Sequence, residues 1–178
     1  MSLSDHADLA SVIASLAVVL TLPMLIISIR QNTKTQRAIV VDSLAKGIAD
    51  INSPLTADPA IGAAVQATTE DWLSATKEQR IMAHYFLYSI LKLHENAWYQ
   101  MRAGILEPNV WQGWETNMRA VYHMPGVKNH WWKERAPSYS QEFRGFLAGT
   151  EPLGIGKLSD IFDPESEPSQ DTDTSSRS

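Results

Sequence analysis

A chain of 178 residues with a formal charge of −5 and no cysteine has room for one hydrophobic core and hardly for two. The missing cysteines exclude thiol catalysis, disulfides, cysteine-ligated zinc and iron–sulfur clusters. Residues 151–178 hold seven Asp or Glu against Lys157 and Arg177, so the rest of the chain is neutral, and without a basic stripe no nucleic-acid partner is expected.

The first element is an apolar run. From Leu9 to Ile29 no residue is charged, and a helix of about 20 such residues is what a bilayer's hydrocarbon core requires. Residues 9–29 are therefore expected to be a transmembrane helix anchored between Leu9 and Ile29, with Arg30 at its end, rather than a buried core helix. A cleaved signal peptide is disfavoured because Ser2–Asp8 has no Lys or Arg and carries Asp5 and Asp8. Positive charge follows the span at Arg30, Lys34, Arg37 and Lys46, which places the short segment 1–8 outside and the domain after Arg30 in the cytoplasm. Pro23 removes a backbone donor within the span and is expected to bend it, with Thr21 near enough to compensate. Ala10, Ala14 and Ala17 offer a small-residue face for another helix.

Ile39, Val40, Leu44, Ile48 and Ile51 recur at helical spacing with no Gly or Pro from Ile29 to Lys46. The span is thus expected to continue as one long helix, broken at Asn52-Ser53-Pro54. Asp58-Pro59 opens a short Ala-rich helix through about Ala67. Thr76 and Gln79 form a capping box, with Ser74 as the competing cap, for a long helix to about Arg102. Gly104 is placed to close that helix in the left-handed conformation, and Pro108 starts the next one, to about Tyr122. Met124-Pro125-Gly126 predicts a turn. A short helix then holds Val127, Trp131 and Trp132 as far as Pro137, and Ser138 with Gln141 suggests a capping box for a last helix carrying Phe143, Phe146 and Leu147. No segment alternates like a strand, so the class is all-α: a transmembrane helix continuing into a cytoplasmic helical domain over residues 30–149. Residues 150–178 read as an acidic, mostly disordered tail, in which Leu153, Ile155, Leu158, Ile161 and Phe162 are either a docking element or the fading end of the domain.

On a helical wheel, Met82, Phe86, Ile90, Leu93, Ala97 and Met101 share a third of the circle and are expected to face the core. Leu87, Leu91, His94 and Trp98 cover the adjoining sector. His84, Tyr88, Lys92, Glu95, Tyr99 and Arg102 fall opposite the stripe, where they are either a polar network or a binding face. If Glu95 lay in an apolar cleft it would hold its proton more tightly and qualify as a catalytic or binding group. Nothing near it completes a nucleophile–base pair, so a structural network is the preferred reading. The five histidines, His6, His84, His94, His123 and His130, show no metal-ligand spacing. Gly154-Ile155-Gly156-Lys157 lacks the full frame of a phosphate loop. No metal or other cofactor is expected. Trp111 and Trp114 share a helix face, and Trp131-Trp132 are adjacent; these four are core residues first and a candidate interface second, with one of the adjacent pair expected at an edge.

Several of these pieces together resemble a known family: Ile29-Arg30-Gln31-Asn32-Thr33 with Arg37, Glu95-Asn96-Ala97-Trp98-Tyr99-Gln100, Gly104-Ile105-Leu106, Trp111-x-x-Trp114, Pro125-Gly126 before Trp131-Trp132, and Phe143-Arg144-x-Phe146. Their order over residues 10–147 is similar to that of a widespread bacterial family of uncharacterised single-span membrane proteins with a cytoplasmic helical domain. The chain departs from that pattern at Pro23 and at His94. The resemblance implies a bacterial inner-membrane location and no particular activity. The expected function is a non-enzymatic, membrane-anchored interaction module, an accessory or assembly subunit whose partners are membrane lipid and other subunits or a second copy. The alternatives are a small-molecule sensor or enzyme using Lys92, Glu95, Tyr99 and Arg102, and a homo-oligomeric scaffold built on the long helix.

Overall fold

A computed structural model describes the backbone of residues 3–153, and the side chains of residue 16 and residues 19–153. These residues form six α-helices and no strand: α1 Leu3–Ala57, α2 Pro59–Glu70, α3 Lys77–Arg102, α4 Pro108–His123, α5 Trp132–Arg135 and α6 Gln141–Ala148. A π-helical turn, Val127–Trp131, precedes α5, and a 3-10 turn, Ala136–Ser138, follows it. The all-α expectation holds.

The long first helix is continuous, as its spacing predicts, but it does not stop at Asn52-Ser53-Pro54. It runs through both Pro23 and Pro54 to Ala57. The extension has a local cause: Ile51 still packs on the core, the Thr56 hydroxyl donates to the Ser53 carbonyl at 2.9 Å, and the Asp58 N–H reaches Pro54 O at 3.0 Å. Asp58 then serves as the N-cap of α2, its carboxylate accepting from the Ala60 N–H at 2.9 Å, with Pro59 in the first turn where no donor is missed. Among the described residues no helix is long and apolar enough to cross a membrane. The side chains of residues 9–15, 17 and 18, which make up much of the apolar run, lie outside the described set. So do the side chains of Leu9, Ala10, Ala14 and Ala17, and the whole of residues 154–178.

Helix α3 is the centre of the domain and packs against α1, α2 and α4. It begins with the full capping box of Thr76 and Gln79, with Ser74 instead bound to Asp71. After Arg102 the chain turns through Gly104, whose φ of 71° is open to glycine without a Cβ clash. Its contacts with α1 run antiparallel: Arg37 of α1 donates to Gly104 O at 3.3 Å and approaches Glu107 at 3.4 Å, while Gly47, ten residues further along α1, lies under Leu93.

The core stripe of α3 is broader than the expected one: Ile90 and Ala97 of the stripe are buried and Phe86, Leu93 and Met101 pack against the core, and burial extends into the adjoining sector. Leu87, Leu91 and His94 are fully inaccessible and Trp98 nearly so, whereas Met82 is 40% exposed. Three helices, α1, α2 and α4, pack on α3, so its buried arc is wider than a single apolar face. Phe143 and Leu147 of α6, Met118 of α4 and Val127 of the π turn complete the centre. Trp98 meets Phe143 and Phe146 at ring separations of 5.7 and 5.6 Å, and Trp132 meets Tyr139 at 4.9 Å. These aromatic contacts, together with the large area the rings bury, replace the staples a cysteine-free domain of this size lacks.

The π turn is held from outside. Gly126 packs so closely on the end of α2 that a Cβ there would sit 1.9 Å from the Thr68 carbonyl oxygen. The Thr68 and Thr69 hydroxyls are themselves buried and donate to carbonyls one turn back in α2. The next turn widens, and the Trp132 N–H bonds Val127 O, five residues earlier.

Candidate functional site

The row His84, Tyr88, Lys92, Glu95, Tyr99 and Arg102 is not one face in the folded chain. It divides into three parts with different neighbours.

In the middle, Glu95 and Lys92 tie α3 to the segment that starts α6. Glu95 is 8% exposed. One carboxylate oxygen accepts from Lys92 Nζ at 2.8 Å, and the other accepts from the Ser140 N–H at 2.7 Å. Lys92 Nζ also donates to Ser138 O at 2.6 Å and lies 4.4 Å from the Tyr139 ring centroid. Burial alone would raise the Glu95 pKa, but the hydrogen bonds from Lys92 and Ser140 and the Lys92 charge outweigh it and hold the carboxyl below its usual range. A reactive Glu95 in an apolar cleft would hold its proton more tightly; here the shift runs the other way. Ser140, not Ser138, caps α6, its hydroxyl accepting from the Phe143 N–H at 3.3 Å. Ser138 belongs to the preceding 3-10 turn, two residues before the cap position, and its carbonyl accepts from Lys92. Tyr139 is buried between them; its hydroxyl donates to Tyr88 O at 3.2 Å, and burial first, then Tyr88 and Glu95, push its pKa up.

At the C-terminal end, Tyr99 and Arg102 stay at the surface. The Tyr99 hydroxyl points to Glu142 at 3.4 Å, and the Arg102 guanidinium lies 4.7 Å from the Trp98 ring. Next to the row, His94 is fully buried, with Nε2 3.0 Å from Asn117 Oδ1 and its ring edge-on to Trp114 at 5.8 Å. Burial drives its pKa down to about 4 against the opposing pull of Asn117 and the Ile90 carbonyl, so the ring is neutral near pH 7.

At the N-terminal end, His84 belongs to a cleft that no single stretch of sequence displays. The floor is the α3 face carrying Lys77, Arg80, Ile81, His84 and Tyr85, at the i, i+3, i+4, i+7 and i+8 spacing that aligns side chains along one helix face. The wall comes from the π turn and α5, with His130, Trp131, Glu134 and Arg135, and Trp72 closes one side. The cavity measures about 300 Å³, at the small end of the range for small-molecule sites. Trp131 Nε1 donates to His84 Nδ1 at 3.1 Å, and the two rings are 6.0 Å apart. Burial, and then Arg135, lower the His84 pKa.

Sequence reasoning placed His84 and Trp131 in candidate sets but missed Lys77, Arg80, Tyr85, His130 and Arg135. The spacing on α3 was readable; the facing wall was not, because it depends on the π turn. The four tryptophans are core before they are surface. Trp111, Trp131 and Trp132 are buried and Trp114 is half-buried against the core. Neither Trp131 nor Trp132 sits at an edge, since Trp131 turns to His84 while Trp132 packs on Tyr122 and Tyr139. Among the described residues no group of three His, Asp or Glu is arranged to hold a metal. No protein-family model, curated protein or solved structure matches the chain.

Proposed function

We propose that the chain is a membrane-anchored, non-enzymatic interaction module in which residues 9–29 span a bacterial inner membrane and residues 30–149 form a cytoplasmic domain. The observation that carries this reading is the bare apolar stretch of α1. Leu16, Leu20, Met24 and Ile27 are each more than half exposed, and from Val19 to Ile29 every described side chain is exposed. Adjacent positions at 100° intervals point to all sides, so this part of α1, Thr21 and Ser28 apart, is apolar all round, and none of the described residues buries it. Water is a poor surrounding for such a surface, and the uncharged run of residues 9–29 to which it belongs has the length that a bilayer's hydrocarbon core requires. The cations at Arg30, Lys34, Arg37 and Lys46 support the cytoplasmic placement of the domain. The resemblance of its motif order to a bacterial single-span family implies the same arrangement.

The interaction role rests on how the polar groups are used. Both oxygens of Glu95 and the Lys92 ammonium are bound by the fold's own groups, and the domain is fixed to α1 through Val40, Leu44, Ile48 and Ile51. A domain held rigidly at a set distance from a bilayer suits an accessory or assembly subunit. The test is purification from native membranes in mild detergent after chemical crosslinking. A defined complex is expected, with other subunits or a second copy, and a bare monomer under every crosslinking condition would refute the reading.

A further inference from the structure

The geometry points to the cleft between α3 and the π turn as a binding site for a small soluble anion that carries a planar ring, an aryl or heteroaryl phosphate or carboxylate.

Charge is the first argument. Lys77, Arg80 and Arg135 line the cavity, and among the described residues no side-chain hydrogen bond or ion pair joins any of the three to another residue. Glu134 is the one carboxylate in the lining. Lys77 and Arg80 also sit, beside a single acidic residue, Glu78, in the first turn of α3, the positive end of its dipole, where a cation opposes helix stability and an anion favours it. A local choice that works against the fold is the kind found where a ligand supplies the compensation. Two guanidiniums in the lining of one cavity of this size, Arg80 from α3 and Arg135 from α5, supply the planar donor forks with which Arg holds phosphate or carboxylate oxygens.

Shape is the second argument. Trp72 and Tyr85 add aromatic surface to the cation-lined cavity, in whose lining the buried Trp131 also takes part, and Tyr85 is 69% exposed with no core role. The bond from Trp131 Nε1–H makes His84 Nδ1 an acceptor, so in the neutral ring the proton sits on Nε2, giving one more donor. The π turn sets His130 and Trp131 on the wall of the same cavity, a distortion often kept at binding sites.

Position separates a soluble ligand from a lipid headgroup, and this step alone rests on the membrane reading. Because α3 runs antiparallel to α1, Gly104 lies beside Arg37 near the bilayer, and the stretch from Gly104 back to His84 places the cleft about 30 Å further away at 1.5 Å per residue.

The test uses the full chain in phosphatidylcholine nanodiscs and isothermal titration with two probes, 1-naphthyl phosphate and inorganic phosphate. Saturable one-to-one binding of the aryl phosphate is expected, about tenfold tighter than inorganic phosphate. The double variant Arg80→Ala, Arg135→Ala should weaken both probes by about tenfold or more, and Tyr85→Ala should weaken only the aryl phosphate. An unchanged circular dichroism spectrum and unfolding midpoint show that each variant is folded. Absence of saturable binding up to about 10 mM, which corresponds to under 3 kcal/mol, would overturn the proposal, as would binding that the double variant leaves intact. Loss of binding when phosphatidylglycerol replaces phosphatidylcholine would assign the cleft to a lipid headgroup and overturn the soluble ligand, without bearing on whether residues 9–29 span the bilayer.

Discussion

The Glu95 carboxylate accepts the Ser140 backbone N–H at 2.7 Å, and this bond joins the central helix to the cap of the last one. The sequence separation is 45 positions, so the contact closes a long loop that includes α4, the π turn and the tryptophan pair. Removing it should loosen α6 before anything else. Glu95→Gln keeps an oxygen for Ser140 but turns an amide donor toward the Lys92 ammonium, and should cost about 2 kcal/mol, the scale of a charge-assisted hydrogen bond. Urea unfolding followed by tryptophan fluorescence measures the loss, and hydrogen exchange at Phe143–Leu147 should rise first. Unchanged stability with an altered function would instead restore Glu95 as a working group.

Two glycines differ in what surrounds them. At Gly126 a Cβ would meet backbone, the Thr68 carbonyl oxygen at 1.9 Å, whereas at Gly47 the nearest atom is the side-chain end of Leu93 at 2.8 Å. Gly126→Ala must therefore separate α2 from the π turn and should cost about 3 kcal/mol or more, while Gly47→Ala asks only for a rotamer change in Leu93 and should cost about 1 kcal/mol. Thermal or urea midpoints of the two variants decide it, and equal effects would mean that the close approach of Gly126 does not hold the turn.

Stability should fall with acid in a defined window. The buried His94 ring has a pKa of about 4, below its ordinary 6.5, so the unfolded chain takes up a proton that the folded one refuses. The contribution of His94 is complete above pH 6.5 and is lost as pH falls toward 4, by up to about 3 kcal/mol at 1.4 kcal/mol per pH unit. His84 and His123 are shifted the same way but are partly exposed and add less. The Glu95 carboxyl, also depressed, loses its contribution lower still, as pH drops through its folded value from the ordinary 4.5. His94→Gln should lower stability at pH 7.5 and flatten the slope between pH 6.5 and 4. A wild-type profile that is already flat there would contradict the account.

The parts of this fold that were legible are those set by near neighbours in sequence. The Thr76 and Gln79 capping box, the left-handed Gly104 and the proline starts at Pro59 and Pro108 each depend on a few adjacent residues, and all appear as read. Errors arose where a distant residue intervenes. Ser138 matches the capping pattern, but it ends a 3-10 turn tied back to Lys92, and α6 starts two residues later with Ser140 as its cap. The buried arc of α3 was misjudged at Met82 because one helix's periodicity does not reveal how many neighbours cover it. The cleft escaped notice because its wall depends on a π turn, whose extra residue changes the facing of His130 and Trp131 and which Gly126 helps to position from α2.

The membrane reading is best tested by topology, and the cysteine-free sequence makes that direct. Ser4→Cys and Ser53→Cys introduce single thiols on either side of the apolar run. In intact spheroplasts a membrane-impermeant maleimide should label Ser4→Cys, should reach Ser53→Cys only after permeabilisation, and the protein should remain in the pellet after alkaline carbonate extraction. Labelling of neither thiol in intact cells, together with release by carbonate, would contradict a membrane span at residues 9–29.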